Sequence, residues 1–345
     1  MSGKRQHFIP RFLQQGFASH TDGDEFYTWV YRKNTEPFNT NLINVGVEKY
    51  FYNDRSDSSA DDKITQAEQT YSTLVNSLKS HPFGPVSNPL IPEFISHLEV
   101  RTRHFRRNFL ELSDYMIKRL LEFMSDEDVF IRYALKEVRN EHSLIHKDFI
   151  KEFEKHGYSK KFVKNWIKTE PGKVETLFNL LKPVFPSIVD NYREILTSKN
   201  ISDWVKLGHV NVLKKSVSPI TRINFYKKLT YSIMEIPNNS LILGDSAILF
   251  KVDDEKSFKT FTHKEDNILN ILLPLSPSRL LIGKTDGNEI HYDEIIHEIA
   301  RNSLEYFISS DENEKFISLQ NEIGNEALLL TEEELENLVS EIFTT

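Results

Sequence analysis

The chain contains no cysteine in 345 residues. That excludes disulfides, thiolate metal ligands and cysteine nucleophiles together, and it fits a reducing cytosol. Glycine is scarce, 12 in all, which disfavours Gly-rich cofactor folds and long flexible linkers. No Gly-x-Gly-x-x-Gly, Walker loop, His-Glu-x-x-His or Gly-x-Ser-x-Gly pattern occurs. There is no run of eighteen apolar residues and no apolar signal-peptide core at the start. The expectation is therefore a cytoplasmic protein with no membrane partner, neither spanning nor secreted. Positive charge is also short. Lys and Arg total 43 against 51 for Asp and Glu, a net charge of −8. Phosphate backbones repel such a chain at long range, so a nucleic-acid partner requires a local basic patch.

Aromatic residues are plentiful: 24 Phe and 13 Tyr within a 39% hydrophobic composition. Rings, and not Val and Ile alone, are expected to fill the core. The length admits one large domain or two ordinary ones.

Along the chain, Phe26 to Arg32 is dense in aromatic and β-branched residues and reads as a strand. Leu42 to Tyr52 gives a weaker extended reading. A polar loop over Asn53 to Asp62 leads to a helix starting near Lys63, with Asp61 or Asp62 as its cap. That helix carries Ile64, Ala67, Tyr71, Leu74, Val75 and Leu78 at helical spacing, with Glu68 beside the apolar stripe. A second helix is expected from Pro92 to Met124. Helices continue to Ser198, broken at Gly157, Pro171-Gly172, Pro183 and Pro186. His142 and His146, four apart with Glu141 adjacent, have a metal-compatible spacing if helical, but no third ligand is evident. Phe225 to Ile236 reads as strand or short helix, and Asn238-Asn239 as a turn. Short apolar strands follow around Gly244-Asp245-Ser246, then over Ile268–Leu273 and Arg279–Ile282, with a turn at Asp286-Gly287-Asn288. Helices are expected over Tyr292–Ser309 and Thr331–Phe343. The fold class is thus α+β: a mainly helical central region, about 62–215, inserted between N- and C-terminal strand segments. These strands build a mixed or antiparallel sheet within a single domain, 1–345.

The first seventeen residues are unusual. Gln6-His7-Phe8-Ile9-Pro10-Arg11-Phe12-Leu13 and Phe17 read as a segment that must dock, whereas chain ends are normally polar and frayed. Gln6, His7, Pro10 and Phe17, with Leu13 near the expected apolar place, fit a Gln-His-x-x-Pro-x-x-x-Leu-x-x-Phe opening. Phe51-Tyr52, Glu68, Arg101-Thr102-Arg103 and Pro274-Leu275-Ser276-Pro277 follow in order. In this the chain resembles the DUF4238 family, a widespread and mainly bacterial domain of unknown function, over residues 6 to 308. Gly244-Asp245-Ser246-Ala247 keeps only the Asp of that family's Ser-Asp-Asn-Pro motif. The resemblance implies no established activity; at family level it suggests a role in defence against phage or mobile elements.

Two readings of these residues stand side by side. In the first the chain is a phosphoester or phosphodiester hydrolase acting on nucleic acid or nucleotides. His7, Glu68 and Asp245 are then catalytic residues and also ligands for Mg or Mn, since an imidazole and two carboxylates suit such ions. Gln6, Arg101, Arg103 and Arg107 are then substrate-binding. The Arg101–Arg107 patch, which also holds His104 and Arg106, becomes an anion clamp for nucleic acid or another phosphorylated ligand. In the second reading the chain is a non-catalytic interaction or regulatory protein. The same side chains then form a buried polar network that ties the opening segment down, with Glu68 paired to Arg101 or Arg103 and Asp245 capping a turn.

Overall fold

The computed structural model describes residues 5–52, 57–254, 257–262, 266–285 and 292–328. In chain order the strands are β1 (Arg5–His7), β2 (His20–Asp22), β3 (Glu25–Arg32), β4 (Phe38–Asn41), β5 (Val47–Lys49), β6 (Gly84–Val86), β7 (Thr230–Glu235), β8 (Leu243–Gly244), β9 (Leu249–Val252), β10 (Phe258–Lys259), β11 (Ile268–Ser276), β12 (Arg279–Lys284) and β13 (Tyr306–Ser309). The helices are α1 (Arg11–Gln14), α2 (Ser59–Ser80), α3 (Ile91–Arg101), α4 (Arg103–Ser125), α5 (Glu127–Arg139), α6 (Leu144–Lys155), α7 (Lys160–Thr169), α8 (Pro171–Leu181), α9 (Phe185–Ile195), α10 (Ser198–Lys215), α11 (Ile220–Tyr226), α12 (Tyr292–Arg301) and α13 (Glu314–Leu319). The fold is α+β, and the strands form three antiparallel sheets. The chain divides into two compact units, one holding the described residues up to Phe109 and from Val205 onward, the other running from Leu110 to Trp204.

The first unit is organised on a six-stranded sheet, ordered β10-β9-β11-β12-β7-β6. Its central strand, β11, is an almost unbroken apolar run, as expected of a strand covered on both faces. Ile271, Leu273 and Leu275 point into one core with Leu281, Ile233, Leu13, Phe17, Phe94 and Leu98. Leu272, Leu280, Ile282 and Leu249 point the other way, toward Ile295, Ile299, Phe307 and Phe316. A five-stranded sheet places β13 between β3 and β8, with β2 and β4 on β3. Strands from the two ends of the chain therefore do share a sheet, as the sequence pattern suggests.

The opening segment lies in this unit. β1 pairs with β5, Phe8 N donates to Gly46 O at 2.7 Å, and Phe8, Ile9, Leu13 and Phe17 are fully buried. Gly16 is required by close approach. A Cβ there would lie 2.0 Å from the carbonyl oxygen of Leu275, at the Pro-Leu-Ser-Pro end of β11.

The second unit closes a core of its own from Ile131, Leu135, Val138, Ile150, Val163, Ile167 and Val174, the inward stripes of α5 to α8. Asp126, Ser143 and Ser159 cap α5, α6 and α7 by accepting a backbone N–H within the first turn.

Several elements differ from expectation. The helix read over Tyr292–Ser309 stops at Arg301. Asn302 Nδ2 and Ser303 Oγ bond back to the carbonyls of Glu298 and Ile299, at 3.1 and 2.7 Å, and the Tyr-Phe-Ile run after them pairs as β13. The single helix over 92–124 breaks at Thr102, whose backbone is extended (φ −76°, ψ 160°). The Thr102 hydroxyl accepts the N–H of Phe105 at 3.4 Å and so restarts the helix as α4. α2 begins at Ser59, not near Lys63, with Asp61 and Asp62 in its first turn, where the helix dipole favours carboxylates. Within Leu42–Tyr52 only 47–49 is strand; Leu42–Asn44 is a short turn of 3-10 helix capped by Asn41. Phe225–Ile236 holds both alternatives, the end of α11 and then β7. The turn expected at 286–288 and the helix expected at 331–343 lie outside the described residues.

Candidate functional site

The chemistry-bearing residues gather around the end of α3 and the Thr102 break. α3 is apolar apart from Glu93, Ser96, His97, Glu99 and Arg101, and it is packed on all sides, so His97, Glu99 and Arg101 are enclosed with it. Buried charge is costly unless paired, so each must find partners inside.

Arg101 finds them in the opening segment and in α2. Its Nη2 donates to His7 O at 2.6 Å, its Nη1 to Glu68 Oε1 at 2.6 Å, and its Nε to the Tyr52 hydroxyl at 3.0 Å. Nη1 also lies 2.9 Å from His97 Nε2, one helical turn back on the same face. Burial pulls the guanidinium's pKa down, but the charges of Tyr52 and Glu68 outweigh it, and Arg101 stays protonated. Gln6 completes the attachment by accepting the N–H of Tyr52 on Oε1 at 2.7 Å. Glu68 keeps a partly exposed carboxylate at 29%.

What Arg101 grips is the main chain of His7, and the imidazole faces elsewhere. Its Nε2 is buried and has no hydrogen-bond partner among the described residues. The ring does bond the Leu42 backbone, but burial first, then the cations of Arg11, Arg101 and Arg5, lower its pKa to about 4. His7 is thus a neutral imidazole at pH 7.

Asp245 stands in a second network. Its Oδ1 accepts the N–H of Leu304 and its Oδ2 that of Glu305, both at 2.8 Å, while Asp245 N donates to Tyr306 O. The carboxylate caps the chain entering β13. Burial pushes its pKa up to about 7, against those two N–H groups and Arg103, which favour the ionised form. His104, fully buried, places Nε2 2.8 Å from Asn302 O and 3.5 Å from Asp245 Oδ1. Arg103 pairs with Glu305 at 2.7 Å and lies over the Phe8 ring, 5.5 Å from its centroid.

The structure therefore brings Gln6, His7, Glu68 and Arg101 together, and separately Arg103, His104 and Asp245. The two groups adjoin through Arg101-Thr102-Arg103 and through Arg103, which lies over Phe8 and pairs with Glu48, the strand partner of Gln6. The arginine run is not the open patch that its composition suggests. Because it straddles the Thr102 break, its members radiate in different directions, and only Arg107 is exposed. Arg106 turns inward, donating to Phe51 O at 2.6 Å and to His209 Nδ1 at 3.2 Å, with its guanidinium 3.7 Å from the Phe51 ring centroid. Burial lowers Arg106 to about 10 and His209 to about 3.

Glu99 escaped the sequence reading. Its Oε1 accepts from Thr262 N and Oγ1 at 2.9 and 3.0 Å, and its Oε2 from the Tyr226 hydroxyl at 2.6 Å. The signal was present: His97, Glu99 and Arg101 are charged or titratable residues set in an otherwise apolar helix. His142 and His146 do not share a helix. His142 lies in the turn before α6, and His146 is buried with Nδ1 2.6 Å from Val138 O. Among the described residues no group of three or more His, Asp or Glu side chains is arranged to hold a metal ion.

A model of the family described as "Protein of unknown function (DUF4238)" matches residues 5–314. The chain belongs to this family. The DUF4238 match takes in both networks, from β1 through β13. The family description assigns no activity. No curated protein and no solved structure matches the chain. Among the described residues no helix is long and apolar enough to cross a membrane.

Proposed function

We propose that this protein is a non-catalytic interaction or regulatory protein, in which the DUF4238 motif residues are the internal fastening of the first unit. The observation that supports this is Arg101: all three of its guanidinium nitrogens are engaged inside the protein, and the side chain is only 1% exposed. Asp245 conforms, each oxygen already accepting a backbone N–H. In this reading the motif holds a folded surface in place, and function lies on that surface. The test is thermal unfolding of His7→Ala and Asp245→Asn. Asp245→Asn sets an amide NH2 against a backbone N–H and is expected to cost about 1–3 kcal/mol. An unchanged melting temperature in both variants would remove the reading.

One observation favours a second reading, a phosphoester or phosphodiester hydrolase acting on nucleic acid or nucleotides. The unpartnered Nε2 of the neutral His7 ring is a free lone pair, and the carbonyl of the same residue is held by the guanidinium that pairs with Glu68, the composition of a general base with an anion-stabilising cation. His7, Glu68 and Asp245 do not fit Mg or Mn as a set, because the Arg101 cation already holds Glu68 and Asp245 belongs to the other network. Phosphodiester hydrolysis assayed with and without Mg or Mn, and lost in His7→Ala while the fold persists, would establish this reading over the first.

A further inference from the structure

The second unit carries a basic surface that the arginine run does not supply. From Lys155 to Lys168 the chain has five lysines (155, 160, 161, 164 and 168) and no Asp or Glu, within a protein of net charge −8. α7 spends Val163 and Ile167 on the unit's core, and its other face stays outside. On that face Lys161, Phe162 (53%) and Lys168 are exposed, and at its start so are Lys160 and Tyr158 (49%). The two rings stack on each other, centroids 5.7 Å apart and planes at 20°. Beside them is a shallow concavity of about 620 Å³ lined by Lys161, Phe162, Lys164, Asn165 and Lys168. Its rim has one acid, Glu141, which pairs with Lys164 at 2.9 Å.

The needs of the fold account for only part of this face: Tyr158 also meets Phe153, which packs on the unit's core, at 5.7 Å between centroids. Lys160 and Lys161 occupy the first turn of α7, which contains no acidic residue. That is the positive end of the helix dipole, where a cation is disfavoured and an anion is welcome. A large aromatic side chain half in water gains little from burial, and a stacked pair of them is a ready platform.

We propose that the α7 face binds single-stranded nucleic acid, with lysines on the phosphates and unpaired bases stacked on the Phe162–Tyr158 pair. Alternating cations and exposed rings match the way sequence-tolerant sites hold a single strand. A duplex hides its base faces and has no use for the rings. A membrane surface calls for a broad apolar helix face, and that of α7 is spent inside the unit. The inference is independent of the reading of the first unit, since no residue of the Arg101 or Asp245 networks takes part.

The experiment is fluorescence anisotropy of the full chain with labelled oligo-dT and oligo-U of roughly 16 nucleotides. Duplex DNA and phosphatidylserine vesicles serve as competitors. With three or four phosphates contacted, affinity should weaken roughly 20- to 50-fold between about 50 and 200 mM salt. Phe162→Ala should weaken binding at least about fivefold and Phe162→Trp should restore it. Replacing Lys160, Lys161 and Lys168 by Gln should flatten the salt dependence. Tighter binding of oligo-U would identify RNA as the strand, and tighter binding of oligo-dT would identify DNA. All these substitutions are at exposed positions, and melts matching the parent protein establish that any loss is at the surface. Absence of binding at low salt overturns the proposal. So does affinity indifferent to Phe162→Ala, equal competition by duplex, or displacement by the vesicles alone.

Discussion

The guanidinium of Arg101 donates to the backbone carbonyl of His7 at 2.6 Å, across 94 positions of sequence. The residue that looks most catalytic in the opening motif is thus held through its main chain, and the imidazole is incidental to the grip. A second donor, the Tyr52 hydroxyl, reaches the same oxygen at 3.2 Å.

Arg101→Lys should therefore be severe. A single ammonium cannot reach the Tyr52 hydroxyl, Glu68 and His7 O from one position. Losing most of these contacts around a buried charge is expected to cost about 3–5 kcal/mol. Glu68→Gln, at a partly exposed carboxylate, should cost about 1 kcal/mol. Chemical denaturation of both variants checks the ranking, and equal midpoints would remove Arg101 from its central place.

Gly16→Ala should destabilise by roughly 1–3 kcal/mol, because the new methyl group meets a backbone carbonyl that cannot rotate away. Gly172, with open space around it, is the control: Gly172→Ala should leave the melting temperature unchanged or raise it.

Deleting the first seventeen residues should unfold the first unit. Phe8, Ile9, Leu13 and Phe17 are buried, and four such side chains at roughly 1.5–3 kcal/mol each approach the whole stability of a domain, about 5–15 kcal/mol. Circular dichroism of the truncated chain is the measurement. Retention of the native melt would place the segment outside the core.

Acid should act through His7. Its pKa falls from 6.5 to about 4 on folding, so between those values the unfolded chain binds the extra proton. Stability contributed by the neutral ring is complete above pH 6.5 and is lost as pH falls toward 4, with a slope of up to about 1.4 kcal/mol per unit. Asp245 has the opposite sign. Raised from 3.8 to about 7, it keeps its proton in the folded state and adds stability as pH falls through the same window. His209, lowered to about 3 by burial, acts with the same sign as His7, so the difference between parent protein and His7→Asn is the quantity to measure. The variant should lose less stability than the parent between pH 6.5 and 4.

Periodicity and residue chemistry made the α+β class, the shared sheet and the docking of the opening segment legible. Each rests on local pattern: alternating aromatics in β3, helical stripes in α2, and five large apolar side chains within twelve positions. The partners of the site residues were not legible in the same way. Nothing near Asp245 in sequence signals that its oxygens serve Leu304 and Glu305. Nothing in Arg101-Thr102-Arg103 signals that the middle residue interrupts a helix and sends its neighbours into different networks. The misread end of α12 has a similar cause. Tyr306–Ser309 continues an amphipathic pattern by chance, and long-range pairing with β3 overrides it.

The place of β13 between β3 and β8 has a consequence for synthesis. Thr28 donates its hydroxyl to Ser309 O across 281 positions, so β3 has no central partner until nearly the whole chain has been made. At about 5–20 residues per second, that separation corresponds to a wait of roughly 15–55 s. Through that interval the second half of an aromatic strand, Trp29-Val30-Tyr31-Arg32, has one edge with no native partner, β2 covering that edge only from Glu25 to Tyr27. The nascent chain should therefore be a client of holding chaperones, and a ribosome stalled before codon 306 should carry an N-terminal half that aggregates on release.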